Sequence, residues 1–241
     1  MQGIHRKRIL LAFLIIIWFT KIVVSQSTDY EIVFGKDWQK AEAFVTENES
    51  WMKQLSDKYN ITYPLAIAVV FPELVRYSAL RDKIEITLLK ALYTNLGEEY
   101  ADFSIGPFQM KPSFAELINE KAIFLKDRKI RYFFIGKTRN KDKKQFRSMI
   151  VADLENLKTQ FIYLAAFIQI CESSYPECQK NEIKKLKFLS TVYNAGLNKS
   201  SEAIEAMMDQ KYFNTRLIKT GDNYSYAEIS LYWYNSFVRK K

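Results

Sequence analysis

Between Phe146 and Ile168 apolar side chains return at the helical period: Phe146, Met149/Ile150, Leu154, Leu157, Phe161, Leu164 and Ile168 share one face. A stripe of that length is a long amphipathic helix, expected over about 144–171, and it must bury its face against other apolar surfaces. A second stripe, Ile84, Leu88, Leu89, Leu92 and Leu96, ends at Gly97, a residue type suited to closing a helix. Only seven Gly and five Pro occur in 241 residues, too few for a turn-rich β-sandwich. The expected fold class is mainly α. With 48% hydrophobic and 15% aromatic residues, the chain has ample material for a packed core.

Further helices are expected at about 38–45, 49–59, 180–193, 200–209 and 224–238. Leu65 to Phe71 is apolar all round and reads as a buried helix opened by Pro64, with Pro72 as a stop or kink just before Glu73. Ser113, three residues before Glu116, reads as a capping box. The basic stretch Lys137 to Lys144 reads as a solvated loop.

Residues 1–25 read as a secretion signal: His5-Arg6-Lys7-Arg8, then the apolar run Ile9 to Thr20, with cleavage expected after Ser25. The run is shorter than the ~20 residues of a spanning helix and Lys21 interrupts it, so no stable membrane insertion is expected after cleavage. Residues 26–241 are expected to form a single helical domain. Loss of the signal removes four basic residues and no acids, taking the formal charge from +9 to +5. No basic stripe interleaved with stacking aromatics favours nucleic acid.

The mature chain would hold no histidine, because His5 lies in the signal. Ser-His-Asp and Cys-His catalysis and histidine metal sites are thereby excluded, and no metal or cofactor is expected. Chemistry is left to carboxylates, Lys, Tyr or Ser. Cys171 and Cys178, in a C-x6-C spacing, read as one local disulfide of an exported protein.

Three motifs follow in order: Leu65-Ala-Ile-Ala-Val-Val-Phe-Pro-Glu73; Gly106-Pro-Phe-Gln109; and Tyr193-Asn194-Ala195-Gly196 at the end of an apolar helix. Together they resemble the soluble lytic transglycosylases of the lysozyme superfamily, over roughly residues 55–235. The resemblance implies a lysozyme-like domain that cleaves peptidoglycan between N-acetylmuramic acid and N-acetylglucosamine, outside the cytoplasmic membrane. Glu73 would protonate the leaving oxygen and then take a proton from the muramoyl C6 hydroxyl, closing a 1,6-anhydro ring. A carboxyl at an apolar helix end is partly desolvated, which keeps it protonated nearer neutrality. Gly106 would let backbone approach the sugar, and Gln109 would bond to N-acetyl or hydroxyl groups. The resemblance further implies that Tyr193 fixes the acid, Asn194 bonds substrate, and Tyr226 closes the back of the cleft, with Tyr224 two residues away as its rival.

The chain departs from the family at Leu74, where Ser normally follows the acid. A long Glu73–Gly106 interval and Pro107 are further departures. Glu98 and Glu99 are rival acids, and Asp102 is a candidate second carboxylate. Two alternatives stand beside the transglycosylase: a non-catalytic glycan-binding or scaffold protein of the envelope, and a lysozyme-like hydrolase of another polysaccharide.

Overall fold

The computed structural model describes residues 28–79, 84–101, 103–138, 141–215 and 222–240. The expected signal over 1–25 and the candidate carboxylate Asp102 lie outside them. Among the described residues eleven α-helices carry the fold: α1 (Tyr30–Phe34), α2 (Lys36–Lys58), α3 (Tyr63–Ala79), α4 (Ile84–Leu96), α5 (Pro112–Ala122), α6 (Arg128–Thr138), α7 (Lys143–Glu155), α8 (Leu157–Ser174), α9 (Glu182–Ala195), α10 (Ser201–Met207) and α11 (Tyr226–Arg239). A two-stranded antiparallel ribbon, β1 (Lys211–Phe213) and β2 (Tyr224–Ser225), precedes α11. The chain is therefore mainly α. No helix of the described residues is long and apolar enough to cross a membrane.

α3 is the central element, packed on α2, α9 and α11. From Leu65 to Val75 every residue is buried, so packing surrounds the segment except where Glu73 meets a cleft. That enclosure carries the helix through Pro72. The missing Pro72 N–H and its ring would break an exposed helix, yet α3 continues to Ala79. Glu73 thus lies within a buried helix and not after its end. Aromatic rings seal the α2–α3–α11 contact: Trp38 packs edge-on against Phe71, with centroids 4.7 Å apart, and Phe71 stacks on Trp233 at 5.0 Å.

Other boundaries differ from the sequence expectation for local reasons. The long helix expected over 144–171 is two helices, because Asn156 leaves helical geometry (φ −94°, ψ 114°) and its side chain caps α8 at the Thr159 N–H. The helices expected at 38–45 and 49–59 are one, α2. The Ser113 capping box does not form: α5 starts at Pro112 with Lys111 as its N-cap, and Glu116 instead accepts from the Tyr93 hydroxyl. α6 falls in a stretch where apolar spacing gives no expectation, and β1–β2 is also new.

The expected Cys171–Cys178 disulfide is not formed; both are free, buried thiols. Backbone bonds close this corner instead. The Tyr175 N–H donates to the Cys171 carbonyl at 2.9 Å, and the Cys178 N–H donates to the Tyr175 carbonyl at 3.1 Å. The two cysteines fill core space as small apolar side chains.

Candidate active site

A cleft of about 530 Å³ opens between α3, α5 and the C-terminal end of α9. Glu73, Gln109, Tyr193 and Asn194 all line it, although they come from three separate stretches of chain. Glu73 is 4% exposed and forms the cleft's buried acid. One turn on, Arg76 Nη1 donates to both carboxyl oxygens, at 2.9 and 2.8 Å. The i, i+3 spacing on one helix makes that pair geometrically natural. The Arg76 guanidinium in turn lies 4.4 Å over the Phe213 ring, so β1 holds the arginine in place.

Burial raises the Glu73 carboxyl above the usual range, and this outweighs the opposing pull of Arg76, Tyr226 and Lys111 toward the charged form. The acid is consequently a desolvated group held against a partner cation. Both features matter chemically: desolvation favours keeping a proton, and the cation receives the charge left when the proton departs.

Tyr226 sits behind the acid. Its hydroxyl donates to the Val69 carbonyl at 3.1 Å, in the helical turn before Pro72, and it also faces the Glu73 carboxyl. Of the two candidate tyrosines Tyr226 therefore takes this position, while Tyr224 turns its ring against Tyr30 and Phe34 at 5.8 and 5.5 Å. Tyr193 lies near Glu73, but its hydroxyl donates to the Phe108 carbonyl at 2.8 Å. It fixes the Gly106–Gln109 turn and leaves the acid to Arg76 and Tyr226.

The turn itself is a tight loop closed by the Ile105–Met110 pair. Gly106 (φ 68°) and Gln109 (φ 47°) both take left-handed backbone, and the Gln109 amide donates to the Gly106 carbonyl at 2.9 Å. Gly106 is not among the cleft-lining residues. A Cβ there would lie 2.9 Å from the Gln160 amide carbon, so the glycine makes room for a protein side chain. Gln160 is fully buried, donates to the Ile105 carbonyl at 2.5 Å and accepts from the Phe108 N–H at 3.3 Å. Sequence reasoning missed this clamp. Its only signal is a polar residue inside the otherwise buried run of α8.

Among the rival acids, Glu98 lines the cleft and is exposed, and Glu99 is not among its lining residues. Glu116 and Glu120 of α5 add two cleft carboxylates that the motifs do not mark. Asn194 is exposed at the rim, between the main cleft and a smaller pocket lined by Phe213 and Tyr226. Among the described residues no cluster of His, Cys, Asp or Glu suits a metal ion.

Fold and site together define a helical protein with one deeply buried, arginine-paired glutamate facing a polar cleft. Compared with protein-family models, curated proteins and solved structures, the chain matches none.

Proposed function

We propose that this chain is an exported lytic transglycosylase with a lysozyme-like fold, acting on peptidoglycan glycan strands. The observation that carries the reading is the meeting of Glu73, Gln109, Tyr193 and Asn194 around one cleft. These are four of the six residues that the motif resemblance selects, Gly106 and Tyr226 lying outside the cleft lining, and unrelated segments have no need to bring them together.

Cleavage needs a proton delivered to the glycosidic oxygen while oxocarbenium character develops at the sugar. Glu73 supplies it from a desolvated carboxyl. Once ionised, the carboxylate is held by Arg76 and Tyr226 until it removes the proton of the muramoyl C6 hydroxyl. That hydroxyl attacks the anomeric carbon and closes the 1,6-anhydro ring. The substrate provides its own nucleophile, so one carboxyl serves both steps. Gln109 and Asn194, at the cleft wall and rim, are the groups for N-acetyl and hydroxyl recognition.

One observation favours a second reading, a glycan-binding protein without chemistry. Arg76 already engages both oxygens of Glu73, and Leu74 brings a buried apolar side chain where the family has a hydroxyl.

Mass spectrometry of muropeptides released from purified cell wall separates these readings. Anhydro products are expected from the wild type, and Glu73→Gln is expected to reduce their release by about 10²–10⁴-fold while glycan binding persists. Hydrated products would assign a hydrolase. Binding without release would assign the scaffold.

A further inference from the structure

The charge of this protein is concentrated in one short stretch. Residues 121–147 hold eleven of the 36 basic side chains and two of the 27 acidic ones, a net of +9, equal to the formal charge of the whole chain. The other 214 residues are therefore balanced.

The two acids of the stretch are occupied in capping helices. Asp127 accepts from the N–H groups of Lys129 and Ile130 at 2.8 and 3.1 Å, at the start of α6. Asp142 accepts from the Gln145 N–H at 2.7 Å and completes the capping box of α7. Two of the cations face inward: Lys137 pairs with Asp153 at 2.5 Å and Arg147 lies 4.0 Å from Glu116. Lys121, Lys126, Arg128, Lys129, Lys141, Lys143 and Lys144 are exposed, and none has an ion-pair partner among the described residues.

Apolar side chains stand among these cations. α6 buries Ile130 and Phe134 on its core face. Its outer face carries Arg128, Tyr132 and Ile135 at i, i+4 and i+7 spacing, and all three are exposed. Phe124, in the turn before α6, is 82% exposed, and Tyr132 is 63% exposed. A single exposed aromatic needs no explanation. Exposed rings interleaved along the chain with lysine and arginine that lack ion-pair partners fit the interfacial pattern, in which rings enter the headgroup boundary and cations meet anionic headgroups.

We infer that the surface formed by residues 121–137 and 141–147 docks this protein onto the anionic phospholipid face of a membrane, with Phe124, Tyr132 and Ile135 entering the interface. Charge complementarity identifies the partner as anionic, and the outward rings select a bilayer over a soluble polyanion, which offers them no apolar phase. The contact is peripheral. α5, whose Leu117 and Glu120 line the cleft, ends where this surface begins, so docking would hold the cleft close to the bilayer plane. The inference is independent of the proposed chemistry.

Co-sedimentation of the full chain with vesicles tests it. One set of vesicles is phosphatidylcholine alone, and the other mixes in one-third phosphatidylglycerol. The N-terminal apolar run is common to every variant, and the neutral vesicles report its contribution. Wild-type protein is expected to prefer the anionic vesicles and to lose that preference as salt rises. Replacing Lys126, Arg128, Lys143 and Lys144 by Gln is expected to reduce partitioning to anionic vesicles by about 600-fold, at roughly fivefold per charge. Phe124→Ser with Tyr132→Ser is expected to reduce it by about tenfold, and all six positions are exposed, so thermal melting should hold. Equal partitioning to neutral and anionic vesicles would overturn the inference. So would anionic binding that ignores Phe124 and Tyr132 while soluble polyphosphate competes fully, which would assign a polyanion instead.

Discussion

Burial and Arg76 pull the protonation of the cleft's acid in opposite directions. The Arg76 guanidinium spans the Glu73 oxygens and rests on Phe213, so it favours the charged carboxyl while burial favours the neutral one. Burial prevails, and the proton is retained above the ordinary carboxylate range. Under the proposed mechanism the protonated form is the active one, and rate falls as pH rises through the Glu73 pKa. Arg76→Gln removes a lowering influence, so that alkaline limb should move to higher pH. A pH–rate profile of the variant beside wild type checks this, and a limb that stays put or moves down would separate Arg76 from the acid. The pair was open to sequence reasoning as an i, i+3 contact. Its depth was not, because burial belongs to the whole α2–α3–α11 assembly.

The turn from Ile105 to Met110 is an element whose purpose changes once neighbours are known. The motif resemblance implies backbone approaching sugar at Gly106. In the structure Gly106 admits Gln160, and Tyr193 and Gln160 both bond the turn's backbone. Gly106→Ala would place a Cβ on left-handed backbone, at about 1–2 kcal/mol, and displace the clamp, at about 1 kcal/mol more for a buried hydrogen bond. A loss of about 2–3 kcal/mol in chemical denaturation is expected. Unchanged stability with lost glycan binding would return Gly106 to the sugar. Elements whose cause is local, such as α4 ending at Gly97, were legible from composition and period. The break at Asn156 was not: the apolar stripe runs on across it, and a capping side chain outweighs the stripe at that one residue.

At the scale of the molecule, one core spans the described helices, and the two cysteines report on it. Burial raises the Cys171 thiol well above its ordinary pKa and pushes Cys178 up to about 12. The reactive thiolate is accordingly scarce and sealed from solvent. Neither thiol should react with a disulfide reagent in the native state near neutral pH, and both should react on unfolding, at a rate that follows the loss of helical signal. Fast labelling of one thiol in folded protein would mean that the α8–α9 corner opens on its own.

Period and composition by themselves determined that this chain is mainly helical and that the run from Leu65 to Phe71 is buried, because such information is carried by neighbours along the chain. The grouping of Glu73, Gln109, Tyr193 and Asn194 came from the motif resemblance, which no single stretch of chain carries. Only the tertiary structure decided that Pro72 lies inside α3, that Tyr193 holds a loop and Tyr226 the acid, that Arg76 spans the carboxyl, and that the cysteines remain thiols. Each of these depends on which atoms meet across distant segments. Packing that encloses a helix can override a local breaker, and a buried hydroxyl bonds to whichever acceptor the fold brings within reach.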